Sequence, residues 1–217
     1  MLLQNLCIGY KKSAPIVESI DAELHLGEFV CLTGKNGCGK STLLRTLANL
    51  QTPLSGHIII ETAAQEATTR PDCAIVLTQT PELNNTTVRQ MVAWGRLPYT
   101  GMFGHLKEED LVKADQAIRI IGIEKLAERN FASLSDGERQ KTMIARALVQ
   151  ETDYLLLDEP SAFLDHPSKV ELMVTLRTLA HEKHKAILLS THDLELAQKY
   201  ADRIWNIEKK RLTASTI

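Results

Sequence analysis

The densest chemistry in the sequence lies in Gly34-Lys35-Asn36-Gly37-Cys38-Gly39-Lys40-Ser41, followed by Thr42. The pattern is G-x-x-x-x-G-K-[ST], which binds phosphate. Its glycines let the backbone wrap an anion and turn successive N–H groups inward. A helix opening at Lys40 adds partial positive charge. Lys40 can reach β- and γ-phosphates, and the Ser41 hydroxyl can ligate Mg2+. A second constellation is Tyr154-Leu155-Leu156-Leu157-Asp158-Glu159, an apolar strand ending in two carboxylates. Asp158 can hold a divalent cation, and Glu159 can polarise an attacking water as a general base.

Two lone residues and one helix start complete the set. Gln79 follows the apolar run at Ala74, and His192 follows the run at Ala186. Ser135 and Glu138 in Leu134-Ser135-Asp136-Gly137-Glu138 have the S-x-x-E spacing of a capping box. The same helix start could equally face a second phosphate, and spacing does not choose between the two readings.

Elements must carry these residues to one place. Phe29–Thr33, Ala74–Leu77, Tyr154–Leu157 and Ala186–Leu189 are short apolar runs without alternation. That is the pattern of parallel strands covered on both faces. Helical patterns lie between them, from Lys40 to about Asn49 and again after Asp165, with Pro167 in the first turn. The alternation implies an α/β domain with a mostly parallel sheet, which binds ligands at the carboxyl ends of its strands. All four runs deliver polar residues at that end. Residues 1–28 and 55–62 read as antiparallel strands against one edge of the sheet. Residues 86–150 read as a helical insertion, with helices at about 86–95, 107–121 and 135–150 and a loop at Gly95, Pro98, Gly101 and Gly104.

Composition excludes several classes. With 25 basic and 27 acidic residues the net charge is −2, which argues against a broad nucleic-acid surface. No apolar run is long enough to span a bilayer, and Met1–Tyr10 does not read as a signal peptide. The four cysteines have no metal-ligand spacing, and a chain of 217 residues has no need of a disulfide framework.

Taken together, these motifs resemble the nucleotide-binding subunits of ATP-binding-cassette (ABC) transporters. In order they are Gly34–Thr42 (Walker A), Gln79 (Q-loop), Leu134–Gln140 (signature), Leu155–Pro160 (Walker B), Ser161–Asp165 (D-loop) and His192 (switch histidine). Tyr10 stands where the family stacks an aromatic ring on adenine. The resemblance implies a P-loop NTPase fold of ABC type with an antiparallel β edge. Residues 1–85 and 151–217 would form a RecA-like core, and 86–150 the helical subdomain. It implies ATP and Mg2+ as ligands, with Ser41, Gln79 and Asp158 around the metal. Glu159 would be the base, assisted by Lys40 and His192. The nucleotide would lie on Tyr10, Gly34, Asn36, Gly37, Cys38, Gly39, Lys40, Ser41, Thr42 and Gln79. Two copies would sandwich two ATP molecules, each also meeting Ser135, Gly137 and Glu138 of the other copy.

The segment Trp94-Gly95-Arg96-Leu97-Pro98-Tyr99 resembles ATPases of importers for iron-siderophore, haem and cobalamin, although the same residues could simply pack the insertion. The implied partners are polytopic permease subunits, a second copy and a substrate-binding protein, with no nucleic acid. The implied place is the cytoplasmic face of the inner or plasma membrane, as a peripheral subunit. A soluble ABC ATPase of iron–sulfur cluster assembly and an exporter ATPase are the alternatives. Several features depart from the family. Asp136 replaces the usual glycine and is expected to point away from the nucleotide. Glu138 replaces the commoner glutamine. The stretch before Gln79 is short, so a reduced antiparallel subdomain is expected. No C-terminal helical extension is expected before Ile217.

Overall fold

Strand β3 (Phe29–Gly34) is buried from Phe29 to Thr33, and the reason is visible in its neighbours. It lies between β7 (Ala186–Ser190) and β8 (Arg203–Glu208), parallel to both. Beyond β7 come β6 (Tyr154–Asp158) and β5 (Cys73–Val76), also parallel, and β9 (Arg211–Thr216) closes the other edge antiparallel to β8. The resulting six-stranded order is β5-β6-β7-β3-β8-β9. A computed structural model describes residues 1–10, 14–60, 73–78, 81, 83–101 and 104–217. Among these residues no helix is long and apolar enough to cross a membrane.

Alternate residues of each central strand feed opposite cores. Phe29, Cys31, Leu155, Leu157, Ile187 and Leu189 face one cluster with the insertion helices. Val30, Leu32, Tyr154, Leu156, Ala186 and Leu188 face the other, with Leu43, Leu44 and Leu47 of α1 (Lys40–Leu47). Both faces are therefore covered, which explains runs of apolar residues without alternation. Each fully buried aliphatic side chain contributes about 1.5–3 kcal/mol, so these short strands are strongly held.

The antiparallel strands form a sheet of their own, in the order β2-β1-β4, from β1 (Leu2–Ile8), β2 (Val17–Glu23) and β4 (Ser55–Ile59). Leu3, Leu6, Ile8, Val17 and Ile20 cover the α1 side of the main sheet. At the edge, the Glu18 N–H donates to Lys210 O at 2.9 Å, beside β9. The small sheet thus touches the expected edge and also lies over a face. Its register shifts between Leu3 and Leu6, where Asn5 has φ 47°. Asparagine tolerates that conformation better than most residues.

The insertion between β5 and β6 holds α2 (Val88–Ala93), a 3-10 turn at Trp94–Tyr99, α3 (Glu108–Ile121) and α4 (Asp136–Leu148). Gly95 and Pro98, expected in a loop, lie in that 3-10 turn. The turn is pinned from beneath. A Cβ on Gly95 would stand 2.3 Å from Arg146 O, so the backbone approaches as only glycine allows. Arg96 is buried; it pairs with Asp110 at 2.9 Å and Glu151 at 2.8 Å, and donates to Val149 O at 2.9 Å. Its guanidinium also lies 3.8 Å over the Tyr99 ring. After β6, α5 (His166–Glu182) starts behind Asp165, whose side chain accepts from the Ser168 N–H, and α6 (Leu194–Tyr200) follows β7.

Candidate functional site

Every parallel strand ends at the same edge, and the phosphate loop leaves that edge from β3. Gly39 precedes α1 at φ 112°, and a Cβ there would lie 2.7 Å from the Ile16 side chain. Glycine is therefore required twice over, by conformation and by space. No side chain caps α1, and its first turn holds no acidic residue. The first-turn N–H groups thus face the loop without a competing side-chain oxygen, as an anion requires. Lys40 is only 5% exposed. Its Nζ donates to Gly34 O at 2.8 Å and lies 3.7 Å from Glu159 Oε1. Asn36 and Gly37 are exposed at the tip, Cys38 and Ser41 are half-buried, and Thr42 is buried.

The carboxylates expected at the end of β6 sit beside that lysine. Asp158 is 3% exposed, and its Oδ1 accepts the Ser190 hydroxyl at 2.8 Å. The Glu159 N–H donates to the same Ser190 oxygen at 2.9 Å. Glu159 itself has φ 50°, a conformation uncommon outside glycine and stabilised here by its neighbours. Its Oε1 lies 2.6 Å from His192 Nε2. One carboxylate oxygen, just past β6, thus faces both Lys40 at the start of α1 and His192 just past β7. Thr78, at the end of β5, donates through Oγ1 to Asp158 O at 3.0 Å. Thr78 and Ser190 were not singled out in the sequence. Their signal was weak: each is a hydroxyl at the end of an apolar run, with no motif spacing around it. Gln79 lies outside the described residues.

The capping box at α4 forms in both directions. Ser135 Oγ accepts the Glu138 N–H at 3.4 Å, and the Glu138 carboxylate accepts the Ser135 N–H at 2.8 Å and hydroxyl at 2.9 Å. The Ser135 N–H first, and then its hydroxyl, hold the Glu138 carboxyl below the usual carboxylate range. The Asp136 side chain is 68% exposed and leans toward Arg139 of its own helix at 3.8 Å. Gly137 has a packing reason for its size: a Cβ would lie 3.0 Å from the Leu164 side chain and 3.1 Å from Phe163 O. Ser135, Gly137 and Glu138 share a cleft with Phe163 and Asp165, whereas Gly34, Lys35 and His192 line another. Among the described residues no hydrogen bond or ion pair joins the phosphate loop to Ser135–Glu138. Tyr10, just past β1, is 52% exposed, with its ring available for stacking.

Hard oxygen donors, the Ser41 hydroxyl and the Asp158 carboxylate, suit Mg2+ completed by phosphates and water. No group of three His, Cys, Asp or Glu among the described residues forms an all-protein cage.

Comparison with known proteins identifies the family. The profile of the family described as ABC transporter matches residues 17–162. An uncharacterised ABC transporter ATP-binding protein of Methanocaldococcus jannaschii is 42% identical over 97% of this chain and 74% of its own length. The petrobactin import ATP-binding protein of Bacillus anthracis is 37% identical, over 97% and 78%. The ferric enterobactin transport ATP-binding protein of Escherichia coli is 35% identical, over 97% and 79%. Among solved structures, a transporter described as of metal-chelate type, in an inward-facing conformation, superposes with a TM-score of 0.88. It is 27% identical and covers 99% of this chain and 82% of that one. A dimeric ATP-binding cassette in a post-hydrolysis state with ADP and phosphate superposes at 0.82, with 25% identity and coverage of 99% and 97%.

Proposed function

We propose that this chain, which belongs to the ABC transporter family, is the ATP-hydrolysing subunit of a membrane importer for iron-siderophore, haem or cobalamin chelates. The observation that carries the reading is the convergence of Lys40 and His192 on one carboxylate oxygen of Glu159, at the carboxyl ends of the parallel strands. The import and siderophore transport named for relatives support the direction and the class of cargo.

The residues then divide the work. The loop from Gly34 to Thr42 holds the triphosphate, with its N–H groups and Lys40 on the β- and γ-phosphates. Tyr10 stacks on adenine. Ser41 and Asp158, with Gln79, would hold Mg2+, which would supply neutralisation of phosphate charge. Glu159 orients the attacking water and takes its proton, and the phosphoryl group passes to that water as ADP leaves. His192 fixes the carboxylate and approaches the γ-phosphate. Ser135, Gly137 and Glu138 of a second copy close the site from the other side, since on one chain they occupy a separate cleft. Residues 1–85 and 151–217 form the ATP-binding core. The helical subdomain, residues 86–150, carries the change to polytopic permease subunits, with Gln79 as the link. A substrate-binding protein would deliver the chelate. The chain itself would sit on the cytoplasmic face of the membrane.

Two experiments test this. Glu159→Gln should lower ATP turnover by at least about a hundredfold while nucleotide still binds. Turnover near wild type would remove Glu159 from the mechanism. The tagged chain isolated from its own cells should bring down a polytopic membrane protein. Recovery of only soluble assembly proteins would contradict a role in transport.

A further inference from the structure

We infer that Ser190 is a positioning residue for hydrolysis, its single hydroxyl setting the geometry of both strand-end carboxylates. The inference rests on the reading of Asp158 and Glu159 given above. The parallel register pairs Asp158 of β6 with Ser190 of β7. Paired residues on adjacent parallel strands point to the same face, so the hydroxyl is brought to the carboxylate by the sheet itself. Ser190 is fully buried and Asp158 nearly so.

A hydroxyl has one proton and two lone pairs. Here the proton goes to Asp158 Oδ1 at 2.8 Å, which leaves the oxygen free to accept the Glu159 N–H at 2.9 Å. That second bond matters because Glu159 sits at φ 50°. A residue in this region keeps it only where its surroundings over-determine it. Without the hydroxyl, a buried carboxylate oxygen and a backbone N–H lose a common partner. Asp158 could then rotate, and the Glu159 backbone could relax, taking its carboxylate from Lys40 and His192. Alanine supplies neither bond. Threonine supplies both, and cysteine replaces them with weaker ones.

The phosphate grip lies on a different element, the loop before α1. Loss of Ser190 should therefore slow turnover without loosening nucleotide. Removing a hydrogen bond to a charged group corresponds to roughly a ten- to hundredfold change in rate. Turnover and KM for ATP at saturating Mg2+, Mg2+-free binding of a fluorescent ATP analogue and Tm would be measured for wild type, Ser190→Ala, Ser190→Thr and Ser190→Cys. Ser190→Ala should lose about ten- to hundredfold in kcat, with KM and Mg2+-free analogue affinity within about twofold and Tm lowered by only a few degrees. Ser190→Thr should recover most of the rate, or Ser190→Cys part of it should the extra methyl unfold the threonine variant. The inference is overturned by wild-type kcat in Ser190→Ala, by equal loss in all folded variants, or by loss of nucleotide affinity in step with kcat. Glu159→Gln, assayed alongside, separates the two levels. If it is inactive while Ser190→Ala is normal, only the positioning role falls. If it turns over like wild type, the reading of the site falls, and the inference with it.

Discussion

Helices α1 and α4 both begin with an end that could hold an anion, yet they are finished in opposite ways. α1 starts behind Gly39 with no side-chain cap and no acid in its first turn, and Lys40 lies buried beside it. α4 starts behind Ser135, and its first turn carries Asp136 and Glu138, one of them folded back onto the cap. The first end leaves its N–H groups to an outside anion. The second has already satisfied part of its own and has gathered negative charge. We read α1 as the end that grips phosphate unaided. On the proposed reading α4 would be the weaker half, meeting a nucleotide only when a second copy brings it there.

Substitutions at the two ends should therefore have different effects. Lys40→Ala should have the largest effect, a loss of nucleotide affinity of roughly ten- to hundredfold by calorimetric titration. Unchanged affinity would mean that α1 does not grip by charge. Tyr10→Ala should weaken binding less, by about fivefold, as loss of stacking on one ring face. If affinity is untouched, adenine rests elsewhere.

At α4 the effects should appear in stability rather than in binding by the isolated chain. Glu138→Ala should lower stability at neutral pH by about 0.5–1 kcal/mol, the size of a lost cap. The sign of its pH dependence follows from the depressed Glu138 carboxyl. The stabilisation is complete above the usual glutamate range and fades as pH falls through the lower folded value. The Tm gap between wild type and Glu138→Ala should therefore close in acid. A gap that widened in acid would rule out the capping role. Asp136→Gly should do least, leaving turnover within about twofold, because the exposed carboxylate makes only a weak pair with Arg139. A tenfold rise in turnover would place that carboxylate against phosphate.

The same contrast marks how far the sequence could be read. β3, β5, β6 and β7 were legible because burial on both faces forces an uninterrupted apolar run. The α4 cap was legible because a capping box has fixed spacing. β8 and β9 were not, since only Trp205 and Ile207 of β8 are buried and β9 is largely exposed. The covering of one sheet face by β1, β2 and β4 depends on tertiary packing that local pattern does not carry. At the site, motif residues announced themselves by type and spacing. Ser190 did not, because its role comes from its register with Asp158, and register between strands 32 residues apart is invisible before folding. Arg96 shows the converse. It belonged to a segment that suggested a functional subgroup, and its partners Asp110 and Glu151 show that it also clamps the insertion together.

On the proposed reading, one chain carries two incomplete halves of a nucleotide site, which two copies complete. Light scattering of Glu159→Gln with and without Mg2+-ATP tests it most directly, because slow hydrolysis preserves any closed state. The expected result is the mass of one chain without nucleotide and of two with it, with the doubling abolished by adding Lys40→Ala. Saturated ATP binding at the mass of a single chain would contradict it.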